Sequence, residues 1–188
     1  MKKFFSVLLA VGMHVAAYSQ QVKMLTHIEG GILSYASLSE KIGYSFKGAG
    51  TWPLNPTVSM GVGLGYEKYF LKEQDVTSLQ GIPLFAQGKY ILTPDRGKSL
   101  YSALDAGYSF NLDKTEDHEK IKGGILLAPQ LGYLWKLSNQ RDYFSIALGY
   151  KYQQYKKDIS PMNGGGYGSF TDITYNLHRL SLMVGISF

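Results

Sequence analysis

Val58-Ser59-Met60-Gly61-Val62-Gly63-Leu64-Gly65-Tyr66-Glu67 alternates a bulky apolar residue with a small or polar one along its whole length. A period of two places one set of side chains on each face of an extended strand. Nothing in the stretch fits the 3.6-residue period of a helix. One face is greasy (Val58, Met60, Val62, Leu64, Tyr66), and the other is mostly glycine and serine, ending at Glu67.

The same alternation repeats on both sides of this segment. Strands are expected over residues 24–36, 41–52, 57–71, 78–92, 99–112, 123–137 and 143–155, with an eighth ending at Phe188. Ile42, Tyr44 and Phe46 share a face in the second, and Ile82, Leu84, Ala86 and Tyr90 lie opposite Gln87 and Lys89 in the fourth. Leu104, Ala106, Tyr108 and Phe110 oppose Ala103, Asp105, Gly107 and Ser109 in the fifth. Pro129 falls inside the sixth run, where a missing N–H predicts a local irregularity in the ladder. The final run sets Leu180, Leu182, Val184, Ile186 and Phe188 against Arg179, Ser181, Met183, Gly185 and Ser187. Most of these runs exceed the usual strand of a soluble protein, about 5–6 residues, and suffice to cross a bilayer at a tilt, which takes about 9–11.

The connections alternate in length. Pro53-Leu54-Asn55-Pro56, Pro94-Asp95-Arg96-Gly97 and Ser138-Asn139-Gln140 read as compact turns, whereas residues 72–77, 113–120 and 156–174 read as longer polar loops. Short turns on one side and long loops on the other match a membrane barrel with periplasmic termini, although the 37–40 connection is short for the outer side.

The N-terminus carries an export pattern. Lys2 and Lys3 precede an apolar run from Phe4 to Met13, and Ala17-Tyr18-Ser19 fits a small-x-small cleavage site. Residues 1–19 are expected to be a signal peptide and residues 20–188 the barrel domain. Losing the two lysines lowers the formal charge from +5 to +3, and the remaining cations form no basic cluster of the kind that binds nucleic acid. The chain has no cysteine, which excludes disulfides, thiolate metal sites and a lipoprotein anchor.

Parity alone does not say which face meets lipid. A lipocalin-like soluble barrel hides its apolar face around a ligand, and a membrane barrel turns it outward. The polar parity carries few charges, with Lys47, Glu67, Lys89, Asp105, Lys151 and Arg179 spread about one per strand, too sparse for a water-facing surface. Aromatics gather toward strand ends as two girdles: Trp52, Tyr133, Trp135 and Tyr143 at one edge, and Tyr66, Phe70, Tyr108, Phe110, Tyr150 and Tyr152 at the other. An all-β, eight-stranded antiparallel transmembrane barrel follows, and its glycine-rich parity suits a narrow lumen.

With the export pattern, the strand count, the terminal Phe188 and segments such as Gly81-Ile82-Pro83-Leu84-Phe85 and Leu131-Gly132-Tyr133, the chain resembles the small Gram-negative outer-membrane barrels of the OmpA/OmpX-like type. The resemblance implies outer-membrane lipid as surroundings. It also implies recognition of the C-terminal strand, ending at Phe188, by the barrel-assembly machinery. Such barrels serve as tethers, adhesins, small pores or lipid enzymes, so the fold leaves function open.

The six sparse charges are expected to face the lumen and to pair there, because unpaired buried charge is costly; Lys89 and Asp105 are expected in one network. They read as a structural plug or as a constriction. A lipid-modifying enzyme needs a nucleophile beside a base, and His178 lies on the lipid parity while Ser181 lies on the other. Catalytic, metal and cofactor residues are therefore expected to be none. Asp113, Glu116, Asp117, His118 and Glu119 read as a solvated loop tip, and Gly164-Gly165-Gly166-Tyr167-Gly168 as an external loop open to a protein partner. Gly50-Thr51-Trp52 fits the Gly-x-Trp of lipocalins only weakly, since Pro53 follows. The expectation is a non-enzymatic barrel that is structural or binds partners through its loops. A small-solute pore and a soluble barrel holding an apolar ligand are the alternatives.

Overall fold

A computed structural model describes residues 24–34, 42–70, 78–94, 97–113, 119–137, 142–159 and 171–188. The expected signal at 1–19, the 37–40 connection, the tip of the 113–120 loop and the Gly164–Gly168 run lie outside them. Nine strand segments follow in order: β1 Leu25–Ser34, β2 Gly43–Pro53, β3 Val58–Phe70, β4 Ser78–Ile91, β5 Lys98–Asn111, β6 Glu119–Lys122, β7 Gly124–Lys136, β8 Tyr143–Ile159 and β9 Thr171–Ser187. All neighbours pair antiparallel, and β1 pairs with β9 from His27↔Ser187 to Ser34↔Leu180, which closes the sheet on itself. Closure leaves no open edge in the hydrocarbon, as a membrane-spanning sheet requires.

β6 and β7 both pair with β8, and the register moves by one residue between Lys122↔Lys156 and Leu126↔Gln153. Gly123 is the extra residue of a bulge, so the two segments are one bent strand and the barrel has eight. A Cβ at Gly123 would lie 1.8 Å from the Ser109 carbonyl oxygen, which leaves glycine as the residue that fits. The loop expected at 113–120 is thus shorter than its polar composition indicates, since Glu119 and Lys120 already pair with β8. Likewise β8 and β9 consume much of the expected 156–174 loop: they pair out to Ile159↔Thr171, extending a hairpin beyond the last β1–β9 pair.

Both mid-strand prolines leave gaps in ladders without shifting them. Pairing stops between Leu127↔Tyr152 and Gln130↔Gly149 around Pro129, and between Leu64↔Leu84 and Glu67↔Gly81 beside Pro83. A residue with no N–H ends the local bonding while the flanking pairs hold the register.

The exterior is apolar. Leu64, Val62, Leu84, Ile125, Leu131, Leu148 and Val184 are exposed, whereas Glu29, Glu67, Asp105 and Arg179 are buried inside. This inversion settles the faces: the soluble lipocalin-like alternative needs the opposite arrangement. At the turn end the outer ring includes Tyr133, Trp135 and Phe144, with ring centroids 4.7 and 5.8 Å apart in sequence. At the loop end, Tyr44 meets Tyr66 at 6.1 Å and Tyr108 meets Phe110 at 5.1 Å. Tyr143 is a correction to the expected girdle. It shares its parity with Ser145 and Ala147 and packs inward against Tyr101, Leu134 and Met183, because β8 starts at this residue with its side chain toward the lumen.

Candidate functional site: the lumen

The lumen is stratified. At the loop end Leu33, Tyr69, Leu79, Tyr155 and Leu177 form an apolar plug, with Ile121 and Tyr175 against it. At the turn end Tyr101, Ala103, Leu134, Ala147 and Met183 form a second one. Bulky residues fit because glycines on facing strands make room: a Cβ at Gly63 would lie 2.4 Å from the Phe85 ring, and one at Gly132 would lie 2.5 Å from Tyr101. The charged groups lie mainly between these layers.

Lys47 is the hub of the first charge cluster. Its Nζ sits 2.9 Å from Glu29 Oε2 and 2.5 Å from Asp105 Oδ2. The second oxygen of Asp105 accepts from Gln87 Nε2 at 2.7 Å, and Lys47 also faces the Phe85 ring at 5.6 Å. Glu29 is held from its other side by His27 Nε2 at 2.5 Å, and His27 Nδ1 meets Ser187 Oγ at 2.6 Å. The second cluster centres on Glu67, which pairs with Lys151 and accepts from Ser45 Oγ at 3.1 Å and from the Tyr69 hydroxyl at 2.6 Å. Arg179 donates to the Phe70 carbonyl at 3.2 Å and lies over the Tyr69 ring. Together these contacts tie β1, β2, β3, β4, β5, β8 and β9 across the lumen. Charges held this way keep the hydrogen-bonding partners that a low-dielectric interior demands.

All six sequence-predicted residues point inward; Lys89 makes no direct ion pair with Asp105, although Glu29 and Asp105 are the carboxylates whose charge acts on it. Asp105 is occupied by Lys47 and Gln87, and Lys89, one step nearer the turn end opposite Ser59 and Ala103, lies over the Tyr101 ring at 4.9 Å. Reading the sequence missed Glu29 and His27 as members of the network. The signal was available: with Ile28 and Ile32 facing out, the period of two turns His27 and Glu29 inward.

Ser187, His27 and Glu29 form a hydrogen-bonded chain in the order of a nucleophile, base and carboxylate. The amide that follows the hydroxyl, Phe188 N–H, is already bonded to the Thr26 carbonyl at 2.9 Å, so it is not free to stabilise an oxyanion. His178 lies on the outside, bonded to the Tyr150 hydroxyl, and away from Ser181 in the lumen. In the loop region Asp113 accepts from the Gln80 amide at 2.9 Å, and partial burial pushes its carboxyl above the usual carboxylate range. Among the described residues no group of three or more acidic, histidine or cysteine side chains is arranged to hold a metal.

A polar, ion-paired lumen inside a closed eight-stranded wall with an apolar exterior is the arrangement of a lipid-embedded barrel. The fold is that of a small outer-membrane β-barrel. Two solved structures show the same architecture. The N-terminal β-barrel domain of Pseudomonas aeruginosa OprF aligns at a TM-score of 0.50 and 15% identity, covering 89% of this chain and 100% of that one. Neisserial surface protein A aligns at 0.53 and 13% identity, covering 87% and 94%. No protein-family model and no curated protein sequence matches the chain. The OmpA/OmpX-like resemblance therefore holds as architecture.

Proposed function

We propose that this outer-membrane barrel is non-enzymatic, serves as a structural element of the membrane, and meets protein partners through the loops at its loop end. The observation that carries this reading is the lumen crossed by paired charges between two apolar layers. The pocket in the charged layer beside Lys47, Asp105, Gln130 and Lys151 has about 20 Å³, room for about one water molecule. That favours a plug over the small-solute pore. The pairing of β8 and β9 out to Ile159↔Thr171, beyond the last β1–β9 pair, supports the second half. Export through the 1–19 signal, with Phe188 as the mark read during assembly, completes the reading; Phe188 is exposed on the lipid-facing parity of β9. Planar-bilayer recording tests the lumen: purified barrel is expected to give no sustained ohmic current, and a steady conductance would restore the pore.

A further inference from the structure

The turn-end mouth of the barrel is built differently from its middle. A cavity of about 280 Å³ opens there, where the 53–58 turn and the ends of β4, β8 and β9 converge. Among the described residues Lys89 is its one cationic lining residue and no carboxylate lines it; the polar lining includes Thr51, Ser59, Tyr143 and Ser187. Val58, Ile91 and Leu134 add apolar wall. Among the described residues the buried luminal carboxylates are ion-paired elsewhere, Glu29 and Asp105 with Lys47 and Glu67 with Lys151. Among the described residues no carboxylate lies within ion-pair distance of Lys89, whose close neighbour is the Tyr101 ring. Ser59 faces it directly across the β3–β4 ladder, with its side chain on the luminal parity.

We propose that this mouth binds a small oxyanion, a carboxylate or a phosphate, with Lys89 as the charged ligand and the Ser59 hydroxyl as donor, the Ser187 hydroxyl being given to His27. An ammonium plus a hydroxyl donor, with no acid among the described lining residues and beside apolar wall, is complementary to an anionic head with a short apolar tail. The cavity is near the lower end of small-molecule sites in size, which limits the ligand to a few heavy atoms beyond its head. Short turns face the periplasm in barrels of this kind, so the ligand comes from that side. The site is separate from the outer loops and does not depend on what they bind.

The test is a titration of the protein, purified from membranes in a zwitterionic detergent, with sodium butyrate and separately with inorganic phosphate, read by amide NMR shifts. Saturable shifts confined to the mouth, around Ser59, Lys89 and Ser187, are expected with at least one of the two. Lys89→Gln is expected to weaken binding by about tenfold or more, Lys89→Arg to retain it, and Lys136→Gln, outside the cavity, to leave it unchanged. Response to butyrate alone identifies an organic carboxylate, and to phosphate alone a phosphate. Absence of saturable shifts with both probes overturns the proposal, as does undiminished binding by a folded Lys89→Gln protein. Ser59→Ala gives a second reading should Lys89→Gln not fold: unchanged affinity there counts against the site.

Discussion

The two faces of the barrel wall obey opposite rules although their residues alternate one by one. On the luminal face a side chain fits only if its cross-strand neighbour leaves room, and a charge is tolerated when a counter-charge reaches it. On the lipid face side chains pack against fluid hydrocarbon, so size matters little and charge matters a great deal. Glycine shows the contrast. At luminal Gly107 an added Cβ would lie 2.1 Å from the Leu84 carbonyl oxygen, whereas at outward-facing Gly88 it would meet nothing within 4 Å.

The most damaging way to break the luminal rule is to strip one partner from a buried pair. Glu67→Ala strands the Lys151 ammonium and leaves Tyr69 and Ser45 without their acceptor; a loss of about 3–5 kcal/mol is expected in reversible urea unfolding. Breaking the outer rule comes next: Leu148→Arg, between the two girdles on the lipid face, is expected to cost about 2–4 kcal/mol in the same assay. Near-zero loss there would mean that Leu148 does not face hydrocarbon. The glycine comparison is sharpened by Gly107→Ala, expected to cost about 1–3 kcal/mol, against Gly88→Ala, expected within about 0.5 kcal/mol. The smallest effect separates the hub from the mouth. A double-mutant cycle on Lys47 and Asp105 should show coupling of about 0.5–3 kcal/mol, and one on Lys89 and Asp105 a smaller value; equal couplings would put Lys89 back in the central network.

Much of the strand plan was legible because lipid outside and a narrow lumen inside impose a strict two-residue period. The bulge was not, since Gly123 looks like any strand boundary and only its distance from Ser109 shows why it is there. The inner plugs were also hidden. Tyr69, Tyr101 and Phe85 sit on the parity that reads as polar, and their room comes from small residues on other strands.

The sequence by itself determined the number of strands, the shared parity of Lys47, Glu67, Lys89, Asp105, Lys151 and Arg179, and the apolar character of the opposite face. These follow from local periodicity, which each strand carries alone. Which acid meets which base was decided by tertiary structure. Lys47 and Asp105 are 58 residues apart and Glu67 and Lys151 are 84 apart, and they meet only when the sheet closes at β1 and β9. Strand register and barrel tilt set the height of each side chain in the lumen. That height places Lys47 among carboxylates and leaves Lys89 at the mouth.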